Sequence, residues 1–398
     1  MKIFLLIVIY LAFISLGLPD GLLGAAWPSV YQSMNVPVSF AGYVTMIIAG
    51  GTIISSLLSD KLSRKFSTQF ILVISVALTA LAIFGFSFST EYYQLCLWAI
   101  PYGLGAGAVD SSLNNYVSLH YKSRQMSWLH SFWGVGATVG PYIISLCLHN
   151  SLGWEWGYRI VGIIQCCLVL LLLSSWPAWK KNELVDEKRE EDQPSEHMGF
   201  VKTWKLKGTV FAFLSFFCYC SLETTTGLWS ASFFVINHGV STETAASWAS
   251  LFYMGIMVGR FLMGFFADKL GDKRCIRLGL SILFVGLVLL FIPAGYYTPL
   301  IGLLLVGLGC APIYPTLIHE TPNNFGRNHS QEVIGMQMTM AYVGSTFMPP
   351  IFGFLSEWIG VGLFPYYLSI FFVLLFIMSE SLNHSMKSKA IANEKGPA

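Results

Sequence analysis

The chain has 398 residues, of which 55% are hydrophobic and only 11% are charged, and its formal net charge is +2. A composition this apolar excludes a soluble globular domain and indicates that the folded chain has a lipid bilayer as its solvent. The small net charge by itself says little about partners, and we expect none that is a nucleic acid.

Apolar stretches long enough to cross a bilayer recur along the whole chain. A membrane-spanning helix needs about 20 mostly apolar residues, and twelve stretches meet this requirement. We call them spans 1 to 12, and they predict an all-α membrane protein. They cover residues 4–31, 38–58, 69–89, 93–118, 126–149, 157–178, 207–235, 245–267, 276–296, 299–319, 333–356 and 361–382.

Span 1 has an alternative interpretation as a secretory signal. It follows Met1 and Lys2, and the small residues at positions 24–26 are typical of a cleavage site. The apolar run is long for a signal, however, and a similar segment occurs in the second half of the chain. We therefore expect span 1 to remain part of the protein.

Span 1 also contains a carboxylate. Asp20 lies about 24 Å from the start of the helix at ~1.5 Å per residue, which is beyond the bilayer midplane. Because an ionised aspartate facing lipid costs about 3 kcal/mol or more, we expect Asp20 to face an aqueous cavity and to have a function. The alternative is a carboxylate at the outer interface. A bent or broken helix is favoured by Pro19, Gly21, Gly24 and Pro28.

Span 4 carries a second carboxylate, Asp110, followed by several polar side chains. Asp110 and Asn114 are one helical turn apart and share a face, with Asn115 beside them. Carboxylate and amide groups at this spacing could bind the hydroxyls of a substrate. The glycines of this span are better explained by close helix packing. They are Gly103, Gly105 and Gly107.

Span 5 carries a histidine, His130, near the end that we predict to be cytoplasmic. His130 could relay a proton if it lies close to Asp110, or it could simply hydrogen-bond across a packing interface. Trp133 follows it and could offer an aromatic face to a sugar ring. The remaining small residues, Gly134, Gly136 and Gly140, indicate packing.

A long polar segment divides the spans six and six. Residues 179–206 carry dense charge of both signs and predict a flexible cytoplasmic linker. We expect an N-terminal bundle of residues 1–178, a C-terminal bundle of residues 207–382, and a cytoplasmic tail of residues 383–398. The eight cysteines lie mostly in apolar stretches with no metal-site or disulfide spacing, so we expect no metal and no cofactor.

The second half carries fewer polar candidates. Glu223 in span 7 occupies the place that Asp20 occupies in span 1. Arg260 in span 8 could neutralise a carboxylate across the bundle, or it could extend to the cytoplasmic surface, which its depth slightly favours. The further candidates each have a packing alternative. They are Trp229, Tyr314 and Gln337.

Basic residues lie on one side of the predicted spans. The connections on the other side contain no lysine or arginine except Arg159 at a helix start. The positive-inside rule therefore places both termini in the cytoplasm, in a multi-pass protein of the cell membrane. The basic residues after spans 2, 4, 8 and 10 are Lys61, Arg64, Lys65, Lys122, Arg124, Lys269, Lys273, Arg274, Arg277 and Arg327.

The two halves repeat each other. The sequence DKLSRK at residues 60–65 matches DKLGDKR at residues 268–274, and the GLG at 103–105 matches the GLG at 307–309. Asp20 precedes Gly24 by four residues, as Glu223 precedes Gly227. Several matches in register indicate a duplicated six-span unit.

The segment from Gly264 to Arg274 resembles the G-x-x-x-D-[RK]-x-G-x-[RK]-[RK] signature of the major facilitator superfamily. The first-half copy departs from it, with Ser56 and Ser63 in place of two glycines. The resemblance implies twelve transmembrane helices in two pseudo-symmetric six-helix bundles.

The signature loops suggest a gate. An aspartate at a helix end beside basic residues can pair with a neighbouring helix terminus, and a glycine allows close helix contact, so these loops could hold the cytoplasmic face shut. The alternative is that the basic residues only set topology. The gating candidates are Asp60, Arg64, Arg260, Gly264, Asp268, Lys269 and Arg274.

Within the superfamily, Asp20, Asp110 and the stretch LHSFWGVGATVGP at residues 129–141 resemble the fucose-glucose-galactose/proton symporter group. This resemblance implies a neutral hydroxylated substrate, such as a hexose, carried with a proton. A carboxylate in a medium of low dielectric constant can exchange that proton. We expect a monomeric symporter working by alternating access. Proton-coupling candidates are Asp20, Asp110, His130 and Glu223; substrate-binding candidates are Asp110, Asn114, Asn115, Trp133, Trp229, Tyr314 and Gln337.

Two other functions are weighed against a sugar symporter. A proton/drug antiporter would use the same fold with a pocket rich in aromatic residues and methionine, and thirty phenylalanines are compatible with it. A receptor or membrane enzyme is disfavoured because we find no nucleotide loop, metal cluster or nucleophile constellation. We therefore expect no enzymatic activity.

Overall fold

The computed structural model of the chain describes residues 2–63, 65–120, 123–177, 179, 203–204, 206–292, 295 and 297–394. Fourteen long α-helices occupy most of this part of the chain. Their bounds are α1 Lys2–Gly17, α2 Leu22–Ser33, α3 Ala41–Ser63, α4 Thr68–Ser87, α5 Tyr92–His120, α6 Ser123–His149, α7 Trp154–Ser174, α8 Thr209–His238, α9 Thr242–Leu270, α10 Asp272–Phe291, α11 Tyr297–Cys310, α12 Ile313–Phe325, α13 Arg327–Ile359 and α14 Phe364–Glu394.

These helices correspond to the twelve predicted spans. Span 1 is formed by α1 and α2 together, span 10 by α11 and α12, and each other span by one helix. Among the described residues, nine helical segments are long and apolar enough to cross a membrane. The other three, α5, α8 and α13, are 29, 30 and 33 residues long and carry more polar side chains.

Two spans are interrupted by proline. In span 1, Pro19 has no backbone N–H, and α1 ends at Gly17 before α2 starts at Leu22. This break confirms the expectation drawn from the proline and glycines of that stretch. Span 10 was predicted as one helix, but it is broken between Cys310 and Ile313, where Pro312 caps the second piece.

Two predicted boundaries also differ from the observed helices. The last helix continues to Glu394, so a helix end does not mark the predicted start of a tail at residue 383. Most of the predicted linker at 179–206 lies outside the described residues, and the domain boundaries stay predictions.

Glycines allow the backbones of the first half to approach closely. A Cβ at Gly103 would meet the carbonyl oxygen of Ile48 in α3, and one at Gly105 would lie 2.6 Å from the carbonyl oxygen of Ser75 in α4. Helix α5 is therefore packed between α3 and α4. The predicted packing role of these span 4 glycines is confirmed.

Among the described residues, four α-helix pairs join the halves: α6 with α9, α3 with α13, α2 with α9, and α2 with α8. In the last pair, a Cβ at Gly24 would meet the carbonyl oxygen of Gly227. These glycines occupy matching places in the two repeats. Contact between equivalent residues is the arrangement expected next to a pseudo-two-fold axis.

We call the end of the bundle with the basic loops the basic end, and the other end the opposite end. At the opposite end the two halves are hydrogen-bonded to each other. Ser39 donates to the carboxylate of Glu357, and Ser145 donates to the backbone carbonyl of Glu243 at 2.7 Å. In this structure the halves are therefore joined at the opposite end.

Gly103→Ala should lower the stability of the protein by about 1–3 kcal/mol, because the added methyl group meets backbone atoms that cannot move aside. Thermal unfolding in detergent, followed by tryptophan fluorescence, measures this. Gly50→Ala in α3 is the matched control, since no described atom lies within 4 Å of its added Cβ. Equal melting temperatures for the two variants would contradict the packing account.

Candidate functional site

Asp20 lies in the break of span 1 and is bound by two other helices. Its Oδ1 accepts a hydrogen bond from the hydroxyl of Tyr102 in α5 at 3.3 Å, and its Oδ2 accepts one from the indole of Trp133 in α6 at 2.7 Å. Asp20 is exposed, whereas Pro19 and Gly21 beside it are buried. The carboxylate thus reaches solvent from inside the first half of the bundle.

The packing around this break leaves no room for a larger side chain at position 21. A Cβ at Gly21 would lie 2.6 Å from Cγ of Pro141 and 2.9 Å from the ring of Tyr253. At Gly17, a Cβ would meet the carbonyl oxygen of Trp133. These glycines hold the broken helix against α6 and bring Asp20 to Trp133.

Trp133 contacts both halves of the protein. Its N–H binds Asp20 of the first half, while the guanidinium of Arg260 from the second half lies over its ring, 5.2 Å from the centroid. The ring also packs edge to face against Tyr253 of α9 at 6.3 Å. One side chain therefore joins a carboxylate to a cation across the interface between the halves.

Arg260 is paired with a carboxylate inside the second half. Its Nη2 lies 3.6 Å from Oε1 of Glu223, and their side chains are only 11% and 15% exposed. This corrects the expectation that Arg260 extends to the surface. Burial explains the difference, because a charge at this depth needs an opposite charge within the protein.

Tyrosines surround this ion pair. Tyr219 lies within electrostatic reach of both Glu223 and Arg260, and Tyr314 lies within reach of Arg260. Tyr314 donates its hydroxyl hydrogen to the sulfur of Met338 at 3.2 Å. Of the predicted substrate-binding residues in the second half, Tyr314 is the one that the structure brings to the ion pair.

Two predicted substrate-binding residues lie in packing contacts. Trp229 is fully buried, donates to the carbonyl of Pro349 at 2.8 Å and packs on Phe352. Gln337 is 1% exposed and accepts a hydrogen bond from Thr321 at 3.1 Å. Both side chains are held by the protein itself, which matches the packing alternative for these residues.

His130 lies near the interface with the second half. Its ring meets Phe13 edge to face at 5.8 Å, and it is within electrostatic reach of Arg260. Asn114 lies half-buried on α5. Several other candidates fall outside the part of the structure that is described: Arg64, and the side chains of Asp60, Asp110, Asn115 and Asp268.

Apart from the largely buried Arg260, the described gating candidates lie at the surface of the basic end. Lys269 and Arg274 are exposed. No described atom beyond its own helix backbone lies within 4 Å of a Cβ built at Gly264, so none of the described helices makes the close contact expected there. In the same loop, Asp272 lies 3.1 Å from Nδ1 of His319, which links the start of α10 to α12.

Three tyrosines near the two carboxylates were missed by the sequence analysis. Tyr219 precedes Glu223 by one helical turn, and Tyr253 precedes Arg260 by seven residues, so each shares a helix face with its charged neighbour. This spacing could have identified both of them. Nothing in the sequence linked Tyr102 to Asp20, because 82 residues separate them.

Comparison with known proteins agrees with this architecture. The family model described as Major Facilitator Superfamily matches residues 9–247 and 211–382. The glucose/mannose transporter GlcP of Bacillus subtilis is 23% identical over 77% of this chain and 77% of its own length. The sialic acid transporter NanX of Escherichia coli is 23% identical over 86% of this chain and 82% of its own length.

A solved structure shares the fold. The crystal structure of a D-xylose-proton symporter superimposes with a TM-score of 0.74 at 15% sequence identity, covering 95% of this chain and 97% of the other. Its agreement over nearly the full length supports the twelve-span arrangement described above.

Removal of one member of the Arg260 pair should destabilise the protein more than removal of both. Glu223→Gln leaves a buried guanidinium without its counter-charge, which costs about 3 kcal/mol, and the double variant Glu223→Gln with Arg260→Met should recover most of this. The exposed pair of Arg277 and Glu380 is the control, because water screens its charges and its loss should destabilise the protein far less. Chemical unfolding in detergent measures each of these variants. If the double variant were no more stable than Glu223→Gln, the pairing would be refuted.

Proposed function

The chain belongs to the major facilitator superfamily, and from this premise we propose that it is a proton-coupled transporter of a small hydroxylated solute, a sugar, working by alternating access. The observation that carries the proposal is the contact series from Asp20 through Trp133 to Arg260. It joins an accessible carboxylate in one half to a buried ion pair in the other.

Protonation of Asp20 would weaken this junction. An ionised carboxylate accepts a charge-assisted hydrogen bond from the Trp133 indole, and such bonds are about twice as strong as neutral ones. When Asp20 takes up a proton, the indole is held less firmly, and so is the ring on which Arg260 lies. The two halves can then move relative to each other, which is the motion that alternating access requires.

The aromatic side chains around the junction suit a sugar. Sugars bind through hydroxyls that pair with polar groups and through an apolar face that packs on an aromatic ring. Trp133 and Tyr253 offer rings, while the hydroxyls of Tyr219 and Tyr314 lie near the ion pair. A glucose/mannose transporter among the relatives and a D-xylose-proton symporter as structural neighbour are consistent with this class of substrate.

Other predicted roles belong to the same proposal. Asp110, Asn114 and Asn115 of span 4 remain candidates for binding the solute, and His130 remains a candidate for proton transfer. We place the basic end in the cytoplasm on the positive-inside rule. The hydrogen bonds that join the halves at the opposite end then make this a conformation that is closed toward the outside.

Asp20→Asn should abolish the dependence of uptake on a proton gradient. Asparagine keeps the size of the side chain but cannot exchange a proton at neutral pH. The measurement is uptake of labelled D-glucose, D-mannose or D-xylose into liposomes with an imposed pH gradient, alongside exchange of the same sugar across membranes without a gradient. We expect gradient-driven accumulation to be lost and exchange to persist.

The control for this variant is Glu91→Gln, which removes an exposed carboxylate at the opposite end. It should accumulate solute as the wild type does. Gradient dependence that survives in Asp20→Asn would refute Asp20 as the proton site. Transport of tetraphenylphosphonium with no sugar transport would instead indicate the proton/drug antiporter.

Trp133→Phe should uncouple the two halves while keeping an aromatic ring in place. The substitution removes the N–H that binds Asp20, and hydrogen bonds to charged groups contribute about 1.5–3 kcal/mol, so we expect gradient-driven accumulation to fall at least about tenfold. Exchange should fall much less, because the ring remains. Trp358→Phe, at a site 88% exposed on α13, is the control. Equal losses of accumulation and exchange would assign Trp133 to solute binding rather than to coupling.

A further inference from the structure

A cleft of about 780 Å³ lies at the basic end of the second half, and its lining residues all come from that half. It is enclosed by the start of α10 and the ends of α12 and α14. Lys273 and Arg277 line it from α10, Asn323 and Asn324 from α12, and Lys387 from α14. None of these residues takes part in the contact series around Trp133.

The cleft carries an excess of positive charge. Arg277 donates two hydrogen bonds to the carboxylate of Glu380, at 2.8 and 2.7 Å, so these two charges neutralise each other. Lys273 and Lys387 are exposed and add two further positive charges. His384 also lines the cleft and would add a third when protonated.

The neighbouring carboxylates are turned to other partners. Asp272 lies against the ring of His319, and Glu320 is only 5% exposed, hydrogen-bonds to Asn324 and lies within electrostatic reach of Lys273. Neither of them lines the cleft. The amide of Asn383 already hydrogen-bonds to Glu380, whereas the amide of Asn323 on the cleft wall can donate hydrogen bonds to an acceptor that the lysines attract.

The cleft lies at the level where helices leave the membrane. Its lining residue Met386 belongs to an apolar cluster with Phe213, and the ring of the partly exposed Trp204 packs on Phe213 at 5.3 Å. Tryptophan is enriched at the height of the lipid headgroups. The basic end also faces the cytoplasmic leaflet, which is the one rich in anionic lipid.

We propose that this cleft binds a phosphate group, and that the phosphate belongs to the headgroup of an anionic phospholipid of the cytoplasmic leaflet. Lysine ammonium groups bind phosphate as point charges, and the amide of Asn323 can donate to its oxygens or to headgroup hydroxyls. The inference is independent of the solute that is transported, since it uses no residue of the Trp133 junction.

The test uses the purified full chain in detergent, titrated with phosphatidylglycerol, with neutral phosphatidylcholine, or with soluble glycerol 3-phosphate. Thermal unfolding gives the apparent affinity, because a ligand bound to the folded state raises the melting temperature. Phosphatidylglycerol should raise it and phosphatidylcholine should not. Lys273→Gln and Lys387→Gln should each weaken this affinity about fivefold, the effect expected for one basic residue near an anionic surface.

Lys65→Gln is the matched control, since it removes one exposed cation from the same end of the first half. Its affinity for phosphatidylglycerol should equal that of the wild type. Counting the phosphatidylglycerol molecules retained through purification, by mass spectrometry, gives a second readout that does not depend on unfolding. The two cleft variants should retain fewer molecules than Lys65→Gln.

The outcomes separate the two sources of phosphate. Stabilisation by glycerol 3-phosphate that is lost in Lys273→Gln would support the phosphate site but overturn the lipid as its occupant. Equal stabilisation by phosphatidylcholine and phosphatidylglycerol, or an equal loss in all three variants, would overturn the site itself.

Discussion

An ionised side chain inside a bilayer needs partners within the protein, and this requirement organises the centre of the structure. Asp20 is held by donors from α5 and α6, and Arg260 is held by Glu223 over the ring of Trp133. Because these partners come from different spans, each charge is satisfied only when its own half is folded, and the contact of Arg260 with Trp133 then joins the two halves. The same contacts therefore contribute to the fold and form the proposed transport site.

Much of the architecture could be predicted from local sequence. The long apolar stretches predicted the spans, and the duplicated loops predicted the two halves, because each of these signals lies within a short segment of the chain. The break in span 1 was also foreseen, since Pro19 and Gly21 flank the carboxylate. The second break, at Pro312 in span 10, was not predicted, although a proline inside an apolar stretch also indicates a helix break.

The partners of the charged residues could not be predicted in the same way. Asp20 and Trp133 are 113 residues apart, and no periodicity within one helix relates them. The interpretation of Arg260 failed for the same reason, because its depth along α9 could not reveal that Glu223 lies beside it. Gly264 is the opposite case. The signature motif predicted a close helix contact at this glycine, but no described helix makes that contact in the present conformation.

The repeat places Asp20 and Glu223 at matching positions, yet their surroundings differ. Glu223 lies against a guanidinium that stabilises its negative charge, whereas Asp20 is exposed and accepts hydrogen bonds from the neutral groups of Tyr102 and Trp133. A carboxylate that gives up a proton during each cycle needs access to water, and one that fixes an arginine does not. We infer that duplication supplied two equivalent positions. Asp20 became suited to exchange the proton, whereas Glu223 holds Arg260 over the ring of Trp133, whose hydrogen bond to Asp20 depends on that proton.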